Sequence, residues 1–278
     1  MHTHASERSG AARLAAAGDA PEDWDRVGAS FQEHGRQHLW RRHSDAVHVA
    51  LLERWLAARA GRVLETDLFD EAVGEGLVPT LSARAESVVG IDVAPVTVAG
   101  ARRRHGALRA VVADVRRLPF AEGVFDTVVS NSTLDHFRTV AEIDDALREL
   151  ARVLRPGGEL ILTLDNRANP LVWLRNALPL GLLRATGIVP YYVGATLGPR
   201  SAVAHLRAAG LHVVERAAVL HCPRMPAVAV AWLLDRVAGP RLQRVYLRAL
   251  ARCEALGALP TRYATGYFVA ARAVKRAP

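Results

Sequence analysis

The sequence predicts an α/β fold in which helices cover both faces of a mostly parallel sheet. Short apolar segments recur between residues 61 and 166, and the stretches between them place apolar residues at helical spacing. Strands that alternate with helices pair in parallel, because each helix carries the chain back across the sheet. With 278 residues, half of them hydrophobic, the chain can bury one large core, so we expect one main domain with additions.

The chain before the predicted sheet divides into two parts. Residues 1–22 are small, polar and Ala-rich, which predicts disorder, and they lack the apolar segment of a signal peptide. Residues 23–60 are predicted to be helical, with Ser44 as an N-cap and Gly61 as the stop. One stripe at helical spacing holds Val47, Leu51, Leu52, Trp55 and Leu56.

Seven strands are predicted from apolar runs that end at turn residues. They span residues 62–66, 87–93, 108–115, 125–132, 159–166, 211–221 and 266–275. A helix between the fourth and fifth strands carries Ile143 and Leu147 at helical spacing and is predicted to end at Pro156. Two apolar stretches, at about 167–200 and 224–259, are expected to be helical insertions in a domain of residues 61–278.

The composition limits the classes of partner. The formal net charge is +8 and the pI is near 10.4, a balance that can indicate nucleic acid or an anionic membrane. Arginine is spread along the helices, so we do not expect nucleic-acid binding. Cys222 and Cys253 form neither a disulfide framework nor a zinc motif, which favours a reducing cytoplasm. No apolar run reaches the roughly 20 residues of a membrane span.

Acidic and small polar residues stand at the ends of the predicted strands, where parallel sheets bind their ligands. Asp92, followed by Val93, ends the second strand, and a carboxylate there can accept hydrogen bonds from both hydroxyls of a ribose. Asp114 ends the third strand, where it can accept from an adenine amino group while the N–H of Val115 reaches a ring nitrogen. The fourth strand ends at residues 130–132, Ser-Asn-Ser.

Three segments resemble the class I S-adenosylmethionine-dependent methyltransferases, in particular the small-molecule branch that includes quinone and menaquinone methylases. They are VVGIDVAPVTVAGARRR, VVADVRRLPFAEGVFDTVVSNSTLDHF and ALRELARVLRPGGELILTL, all between residues 61 and 166. The resemblance implies a Rossmann-like sheet, S-adenosylmethionine as cofactor, a small-molecule acceptor, and the N-terminal helices of residues 23–60 as a lid. A dehydrogenase would need Gly-x-Gly-x-x-Gly after the first strand, which this chain lacks.

The glycine-rich loop of that family is altered in the stretch ETDLFDEAVGEG, residues 65–76. Glycines at this place let the backbone approach the methionine part of the cofactor. In one register Glu65 is the acidic residue that ends the strand. Asp67, Phe69 and Glu71 then replace all three glycines, and the distance to the ribose-binding acid is 92 − 65 = 27 residues, longer than the family usually shows.

A second register starts at Asp70 and keeps Gly74 and Gly76 as glycine positions, with a usual separation of 92 − 70 = 22 residues. It requires a first strand that extends through Asp67. In a third arrangement the strand ends near Thr66 and a longer acidic loop follows. Carboxylates suit the ammonium and sulfonium charges of the cofactor. The remaining alternative is a degenerate loop that binds no cofactor, although the strand-end acids argue against it.

Candidate catalytic residues follow the fourth strand. Methyl transfer is an in-line displacement that depends on alignment, and a hydroxyl acceptor also benefits from a base. Asp135 and His136 lie where the family binds its substrate, and we take His136 as the candidate base; the alternative is capping and packing. Asn131 and Ser132 are expected to line the site near the methyl group. His221 is a weaker candidate base.

Further candidates lie outside the core of the resemblance. His34 and His38 have a metal-binding spacing but no clear third ligand, so we expect no metal. Tyr191 and Tyr192 could line a substrate pocket or belong to the core. The two insertions are apolar with interspersed arginines, which suits a hydrophobic substrate or an anionic membrane surface; the alternative is ordinary amphipathic helices packed on the sheet.

The sequence therefore favours methyl transfer from S-adenosylmethionine to a small molecule, with O-methylation slightly favoured and an apolar or lipid-like acceptor as one hypothesis. The alternatives are a non-catalytic cofactor-binding partner protein and an RNA methyltransferase. The last is disfavoured, because the Asn/Asp-Pro-Pro-Tyr motif of many nucleic-acid amino methylases is absent at the fourth strand, where SNSTLD stands.

Overall fold

A computed structural model describes residues 24–34, 38–185, 192 and 194–276. Its seven-stranded sheet has the order β3-β2-β1-β4-β5-β7-β6. The strands are β1 Gly61–Glu65, β2 Ala85–Asp92, β3 Arg109–Val112, β4 Phe125–Asn131, β5 Leu154–Asp165, β6 Leu211–Val219 and β7 Phe268–Lys275. The pairs of β1 to β5 are parallel, and β7 is antiparallel to both β5 and β6. The predicted mostly parallel seven-stranded sheet is confirmed.

Helices cover both faces of this sheet. They are α1 Trp24–His34, α2 His38–Trp55, α3 Phe69–Val73, α4 Val78–Ser82, α5 Pro95–Arg104, α6 Val140–Val153, α7 Pro170–Ala177, α8 Leu180–Ala185, α9 Pro199–Ala208, α10 Arg224–Val237, α11 Pro240–Cys253 and α12 Arg262–Thr265. The core forms two apolar layers. One contains Leu51 and Trp55 of α2, and the other contains Ile143 and Leu147 of α6.

Helix α6 shows how local sequence and packing agree. Thr139 accepts a hydrogen bond from the backbone N–H of Glu142, and the Glu142 carboxylate accepts from the N–H of Thr139, which together form a capping box. Ile143, Leu147 and Leu150 are fully buried against the sheet. The helix ends at Val153 and β5 begins in the next residue, so the predicted Pro-Gly-Gly stop already lies within the strand.

The N-terminal helices depart from the prediction in one respect. Ser44 lies inside α2 and is not its N-cap, because the helix already starts at His38. The cap is tertiary: the N–H of Leu39 donates to the carboxylate of Asp235 in α10, at 3.3 Å. Buried Leu39 and Trp40 hold this extra turn against the core. Residues 1–22 lie outside the described residues.

Helices also occupy both predicted insertions. The first contains α7 and α8, and the second is a helical hairpin of α10 and α11. Within the described ranges, no helix is both long and apolar enough to cross a bilayer. Because β5 and β6 both run antiparallel to β7, they end at the same edge of the sheet, and both insertions start from that edge.

Candidate active site

The first strand ends at Glu65, and Thr66, Asp67 and Leu68 lead directly into α3 at Phe69. This geometry supports the register in which Glu65 is the strand-end acid. The register that starts at Asp70 is wrong, because it requires a strand that extends through Asp67. The third arrangement, a longer acidic loop, agrees with the structure in where the strand ends. Its loop is shorter than expected, because residues 69–71 are already helical.

The two retained glycines lie one helix beyond the strand end. Gly74 is the C-cap residue of α3, and Gly76 adopts a positive φ of 56° after it. The side chain of Glu71 folds back beside Gly76, and its Oε1 accepts a hydrogen bond of 2.7 Å from the backbone N–H of Leu77. A Cβ at Gly76 would collide with that carboxylate. Gly76 therefore makes room for Glu71.

The side chains of residues 67–70 are packed or paired in the loop that replaces the family's glycine-rich turn. Leu68 is completely buried against Gly90 of β2, where a Cβ would meet its methyl groups. Asp67 Oδ1 accepts from the N–H of Phe69 at 2.8 Å and thereby caps the start of α3. Asp70 pairs with Arg41 of α2 at 2.7 Å. The loop is thus an ordered alternative to the glycine turn, with a partner for each substituted side chain.

Buried carboxyl groups concentrate around this loop. Burial raises the pKa of Glu65 to about 8, with the charges of Asp67 and Asp70 adding to the effect. Burial likewise raises the pKa values of Asp67 and Glu71 well above their ordinary range, and nearby carboxylates contribute. Glu65 Oε2 is buried and has no hydrogen-bond partner among the described residues. A cationic group placed here would stabilise the ionised acids.

Asp92 ends β2 as the sequence predicts, and it is tied to the loop. Its Oδ2 accepts from the N–H of Leu68 at 3.2 Å, and its Oδ1 accepts from the N–H of Ala94 at 2.8 Å. Burial raises the pKa of Asp92 to about 6, although these hydrogen bonds oppose the shift. The neighbouring Val93 side chain is half-exposed. The carboxylate that is expected to hold the ribose therefore also positions the altered loop.

Asp114 lies just past the third strand, because β3 ends at Val112. Its carboxylate binds the guanidinium of Arg116 at 2.7 Å and accepts from the N–H of Arg116 at 2.8 Å. Burial works to raise the pKa of Asp114, but the bonds from Arg116 outweigh it and lower that pKa. The Val115 side chain is buried. The adenine-binding roles of Asp114 and Val115 stay a prediction.

The end of β4 is shaped by bonds to β5. Asn131 Oδ1 accepts from the hydroxyl of Thr163 at 2.7 Å, so this amide is turned toward the neighbouring strand. Ser132 adopts a left-handed φ of 53°, and its N–H donates to Thr163 Oγ1 at 3.0 Å. Its hydroxyl donates to Asp135 Oδ2 at 2.9 Å. These bonds set the direction in which the chain leaves the strand.

His136 ends a short 3₁₀ turn formed by residues 134–136. Its Nδ1 lies 3.1 Å from the backbone carbonyl oxygen of Tyr192. A carbonyl oxygen can only accept, so the neutral imidazole carries its proton on Nδ1 and its basic lone pair on Nε2. The ring packs edge-on against Trp24 of α1, with 4.8 Å between the centroids. This tautomer suits the role of a base at Nε2.

The end of the first insertion is fastened to this turn. The N–H of Gly194 donates to the carbonyl of Asp135 at 2.8 Å, and the N–H of Ala195 donates to that of Phe137 at 2.7 Å. A Cβ at Gly194 would collide with the carbonyl of Phe137. Tyr192 therefore contributes its backbone to the orientation of His136. Tyr191 lies outside the described residues.

Asp135 is buried, and one of its carboxylate oxygens bonds within the turn and to β5. Its Oδ2 accepts from Ser132 and also from the N–H of Asp165 at 3.2 Å, and burial followed by the charge of Asp165 raises its pKa. Asp165 ends β5 and pairs with Arg175 of α7 at 2.6 Å. Arg175 in turn donates to the hydroxyl of Tyr267 at 2.5 Å. The sequence analysis missed this network, although the strand-end rule that selected Asp92 applies equally to Asp165.

Helix α1 packs against α5 and α3, the helices that follow the strand ends of β2 and β1. Asp25 accepts from the N–H of Val96 at the start of α5, at 2.9 Å, and Gln32 donates to the carbonyl of Val96 at 3.2 Å. Phe31 packs edge-on against Phe69 of α3. These contacts join α1 to α5 and α3, and the lid role of residues 23–60 stays a prediction; the sequence pattern did not single out Asp25.

Of the other histidine candidates, His221 is held by contacts inside the protein. His221 is buried, with Nδ1 2.8 Å from the hydroxyl of Thr265 and Nε2 3.0 Å from the carbonyl oxygen of Ala218. Both ring nitrogens are thus engaged inside the protein, which argues against a role as base. The side chain of His34, half of the predicted His34–His38 pair, lies outside the described residues.

Comparison with known proteins matches residues 69–162 to a methyltransferase domain family. Residues 69–162 therefore carry a methyltransferase domain, in agreement with the resemblance found in the sequence. It is 36% identical over 130 residues to a demethylmenaquinone methyltransferase of Beutenbergia cavernae, covering 46% of this chain and 48% of that protein. It is 35% identical over 149 residues to a malonyl-[acyl-carrier protein] O-methyltransferase of Enterobacter lignolyticus, covering 51% and 55%. The present chain spans about half the length of these relatives.

The fold of this chain also occurs in a protein named for another activity. The crystal structure of the [4+2]-cyclase SpnF matches with a TM-score of 0.54 and 22% identity, covering 83% of this chain and 80% of that one. Likeness at this level shows a shared architecture. Activity must therefore be argued from the residues of the site.

S-adenosylmethionine is the cofactor of the family, and the donor set here fits it. A strand-end carboxylate is present for the ribose at Asp92, and the buried acids of the loop suit a ligand with an ammonium and a sulfonium charge. The buried, unpartnered Glu65 Oε2 is an acceptor available for such a cation among the described residues. This chain lacks one feature of the family, the glycine-rich loop after the first strand.

Proposed function

We propose that this chain transfers a methyl group from S-adenosylmethionine to a small-molecule acceptor. The observation that carries the proposal is the position of Asp92 within the matched domain, at the carboxyl end of β2 and bonded to the loop that follows β1. When bound, the cofactor supplies an electrophilic methyl group on a positively charged sulfur. The chain's own contribution is to hold that group in line with the acceptor.

Each cofactor contact is assigned from its place at the sheet edge. Asp92 and Val93 would hold the ribose, and Asp114 with Val115 the adenine. The acids of the loop, Glu65, Asp67 and Asp70, would surround the methionine end. Asn131 and Ser132 would lie near the methyl group. Gly74 and Gly76 support the loop indirectly, since Gly74 ends α3 and Gly76 accommodates Glu71.

The acceptor is proposed to be a hydroxyl compound, with His136 as the base. The bond from its Nδ1 to Tyr192 leaves the basic lone pair on Nε2, and one relative is named as an O-methyltransferase. Asp135 would position the turn and would not touch the acceptor. An apolar or lipid-like acceptor is supported by the relatives named as demethylmenaquinone methyltransferases and by the exposed apolar side chains of both insertions.

We place the protein in the cytoplasm, with contact to a membrane surface as the route to a lipid-like acceptor. A non-catalytic cofactor-binding protein is the second candidate. The altered glycine loop favours it, as does the occurrence of this fold in a protein named as a cyclase. An RNA methyltransferase has no supporting contact in the site.

The first test is calorimetric titration of the protein with S-adenosylmethionine and with S-adenosylhomocysteine. Binding of both ligands, lost or weakened at least about tenfold in Asp92→Ala, would support the proposal. Asp145→Ala, an exposed acid on α6 paired with Arg148, is the matched control and should bind as the wild type does. Absence of binding to either ligand would reject cofactor binding.

A second experiment separates catalyst from binding partner. The protein is incubated with labelled S-adenosylmethionine and a panel of phenolic, quinol and carboxylate acceptors, and S-adenosylhomocysteine release is measured. Steady turnover excludes the non-catalytic hypothesis. Tight cofactor binding without turnover on any acceptor class would favour it.

A further inference from the structure

The hairpin of α10 and α11 presents an apolar surface to solvent. On α10 the exposed side chains include Val230, Leu233 and Val237, and on α11 they include Leu242 and Val245. Val237 is 71% exposed and Val245 is 59% exposed. We call these five residues the hairpin face. Isolated exposed apolar residues are common, but a contiguous set on two adjacent helices indicates an interaction surface.

The residues of the hairpin face recur at helical spacing and so form a stripe on each helix. Val230, Leu233 and Val237 follow one another at i, i+3 and i+7, as Leu242 and Val245 do at i and i+3. Ala227 and Ala231 of α10 are buried beside this stripe and pack on the core. An ordinary amphipathic helix would turn its polar side outward, whereas α10 turns apolar residues outward.

The hairpin is firmly attached to the domain. Tyr246 of α11 donates to the carbonyl of Ala227 in α10 at 2.5 Å, and Asp235 caps the start of α2 through the N–H of Leu39. Buried Leu250 joins the same apolar layer as Leu51 of α2. The hairpin face is therefore held in place by the fold, and substitutions on it leave these contacts intact.

The charges around the hairpin face are almost all positive. Between Arg224 and Cys253 there are six arginines and a single acid, Asp235, which is engaged with α2. The exposed arginines that flank the face are Arg236, Arg241, Arg244 and Arg248. The guanidinium of Arg236 lies 3.6 Å above the ring of Trp232, which is half-exposed. The apolar side chains and the aromatic ring are thus flanked by cationic side chains.

This combination identifies the occupant as an anionic bilayer surface. Acyl chains accept the Val and Leu side chains, anionic headgroups pair with the arginines, and tryptophan favours the boundary between them. A nucleic acid would leave the apolar stripe uncovered. A second copy of the hairpin would bring the four flanking arginines against four others, with repulsion.

We infer that the hairpin face docks this protein on an anionic membrane surface. The hairpin starts at the sheet edge that carries the candidate active site, because β5 and β6 end together there. Exposed Trp173 and Leu174 on α7 start from the same edge. Docking would bring the acceptor side of the site close to the lipid. The inference deepens the proposed function and rests on it only for this purpose, since docking itself requires no methyl transfer.

The test is flotation of the full chain with vesicles of phosphatidylcholine alone or with 30% phosphatidylglycerol, about a physiological anionic fraction. We expect binding to the anionic vesicles that weakens as salt is raised. The variants are Val237→Glu with Val245→Glu, and Arg241→Glu with Arg244→Glu, each expected to weaken partition at least about tenfold. Matched controls are Val214→Glu, on the exposed side of β6, and Arg148→Glu on α6, which should bind as the wild type does.

Circular dichroism and cofactor titration on the same variants keep the outcomes distinct. Hairpin variants that stay folded and bind cofactor but no longer bind vesicles would support docking. Failure of the wild type to bind anionic vesicles, equal binding to neutral ones, or unchanged binding by both variants would overturn it. Loss of a concentration-dependent dimer in the hairpin variants would identify a second copy as the occupant and would also overturn it. Vesicle binding by Asp92→Ala would show that docking is independent of the cofactor site.

Discussion

Glu71, in the first turn of α3, and Glu65, at the end of β1, are neighbouring buried carboxyl groups, and burial raises the pKa of both. Both side chains are about 2% exposed. Two carboxyl groups this close and this buried cannot both be ionised cheaply, so the pair retains a proton at pH values where free carboxyls have lost theirs. Glu71 stands where the family has a glycine, so the substitution converts a backbone turn into a proton-sharing pair.

The stability of the folded chain should fall as pH rises. The pKa of Glu65 is raised from 4.5 to about 8, so the folded state binds more protons than the unfolded state between these values. Stability is therefore fully present below about pH 4.5 and is lost as pH rises toward and through 8. In Glu71→Gln the amide can still accept from the N–H of Leu77 and donate to Glu65. This variant should therefore lose less stability than the wild type as pH rises.

This prediction is measured as the melting temperature between pH 5 and pH 8.5. At pH 8.5 we expect Glu71→Gln to melt at least about 2 °C above the wild type, the shift that roughly 1 kcal/mol produces in a domain of this size. Glu75→Gln, in the exposed stretch after α3, is the control and should follow the wild type. If the melting temperatures of the wild type and Glu71→Gln depended on pH in the same way, the idea that Glu65 and Glu71 share a proton would be contradicted.

Restoring the family's glycine should harm the protein. Glu71→Gly removes the acceptor of the Leu77 N–H and the side chain that packs beside Gly76, and it places a glycine in a helix. We expect a loss of about 1–3 kcal/mol in the free energy of unfolding, from the orphaned buried N–H and the glycine penalty. Urea denaturation at pH 6 measures it, and a variant as stable as the wild type would show that the loop tolerates either form.

His136 should affect turnover more than binding. If Nε2 accepts the acceptor's proton, His136→Gln should lower kcat by about 10²–10⁴-fold while the cofactor Kd changes little. Exposed His212→Gln serves as the matched control. A kcat change below about fivefold, with an acceptor that carries a hydroxyl, would assign His136 to the packing role beside Trp24.

Asp165 and Arg175 form a buried ion pair whose single variants should be costly. Arg175→Met leaves the Asp165 carboxylate buried next to Asp135, and a loss of about 3–5 kcal/mol is expected. The double variant Arg175→Met with Asp165→Asn should recover part of that loss, because no charge is left unpaired. A double-mutant cycle in urea measures the coupling. Additive losses would mean that the two residues act separately.

Several features follow from the sequence alone because their cause is local. The strands and α6 have a period of apolar residues that admits one way of burying them. The order of the family's segments, with Asp92 at the end of β2, was likewise available from the residues. These predictions needed no knowledge of which elements touch.

Only the tertiary structure decided the features that depend on partners distant in sequence. The start of α2 is capped by Asp235, nearly two hundred residues away, so Ser44 lost that role to a contact that no local pattern encodes. The tautomer of His136 is set by the backbone of Tyr192 in the first insertion.

The altered loop shows the same division. The sequence showed that its glycines are displaced and left several registers open, because acidic residues carry no strong preference between strand, loop and first helical turn. The end of β1 at Glu65 was decided by packing, since Leu68 must bury itself against Gly90 and Glu71 must reach both Glu65 and Leu77. Local propensity determined which elements exist; burial and pairing of polar groups across the fold determined where the loop begins and what it can bind.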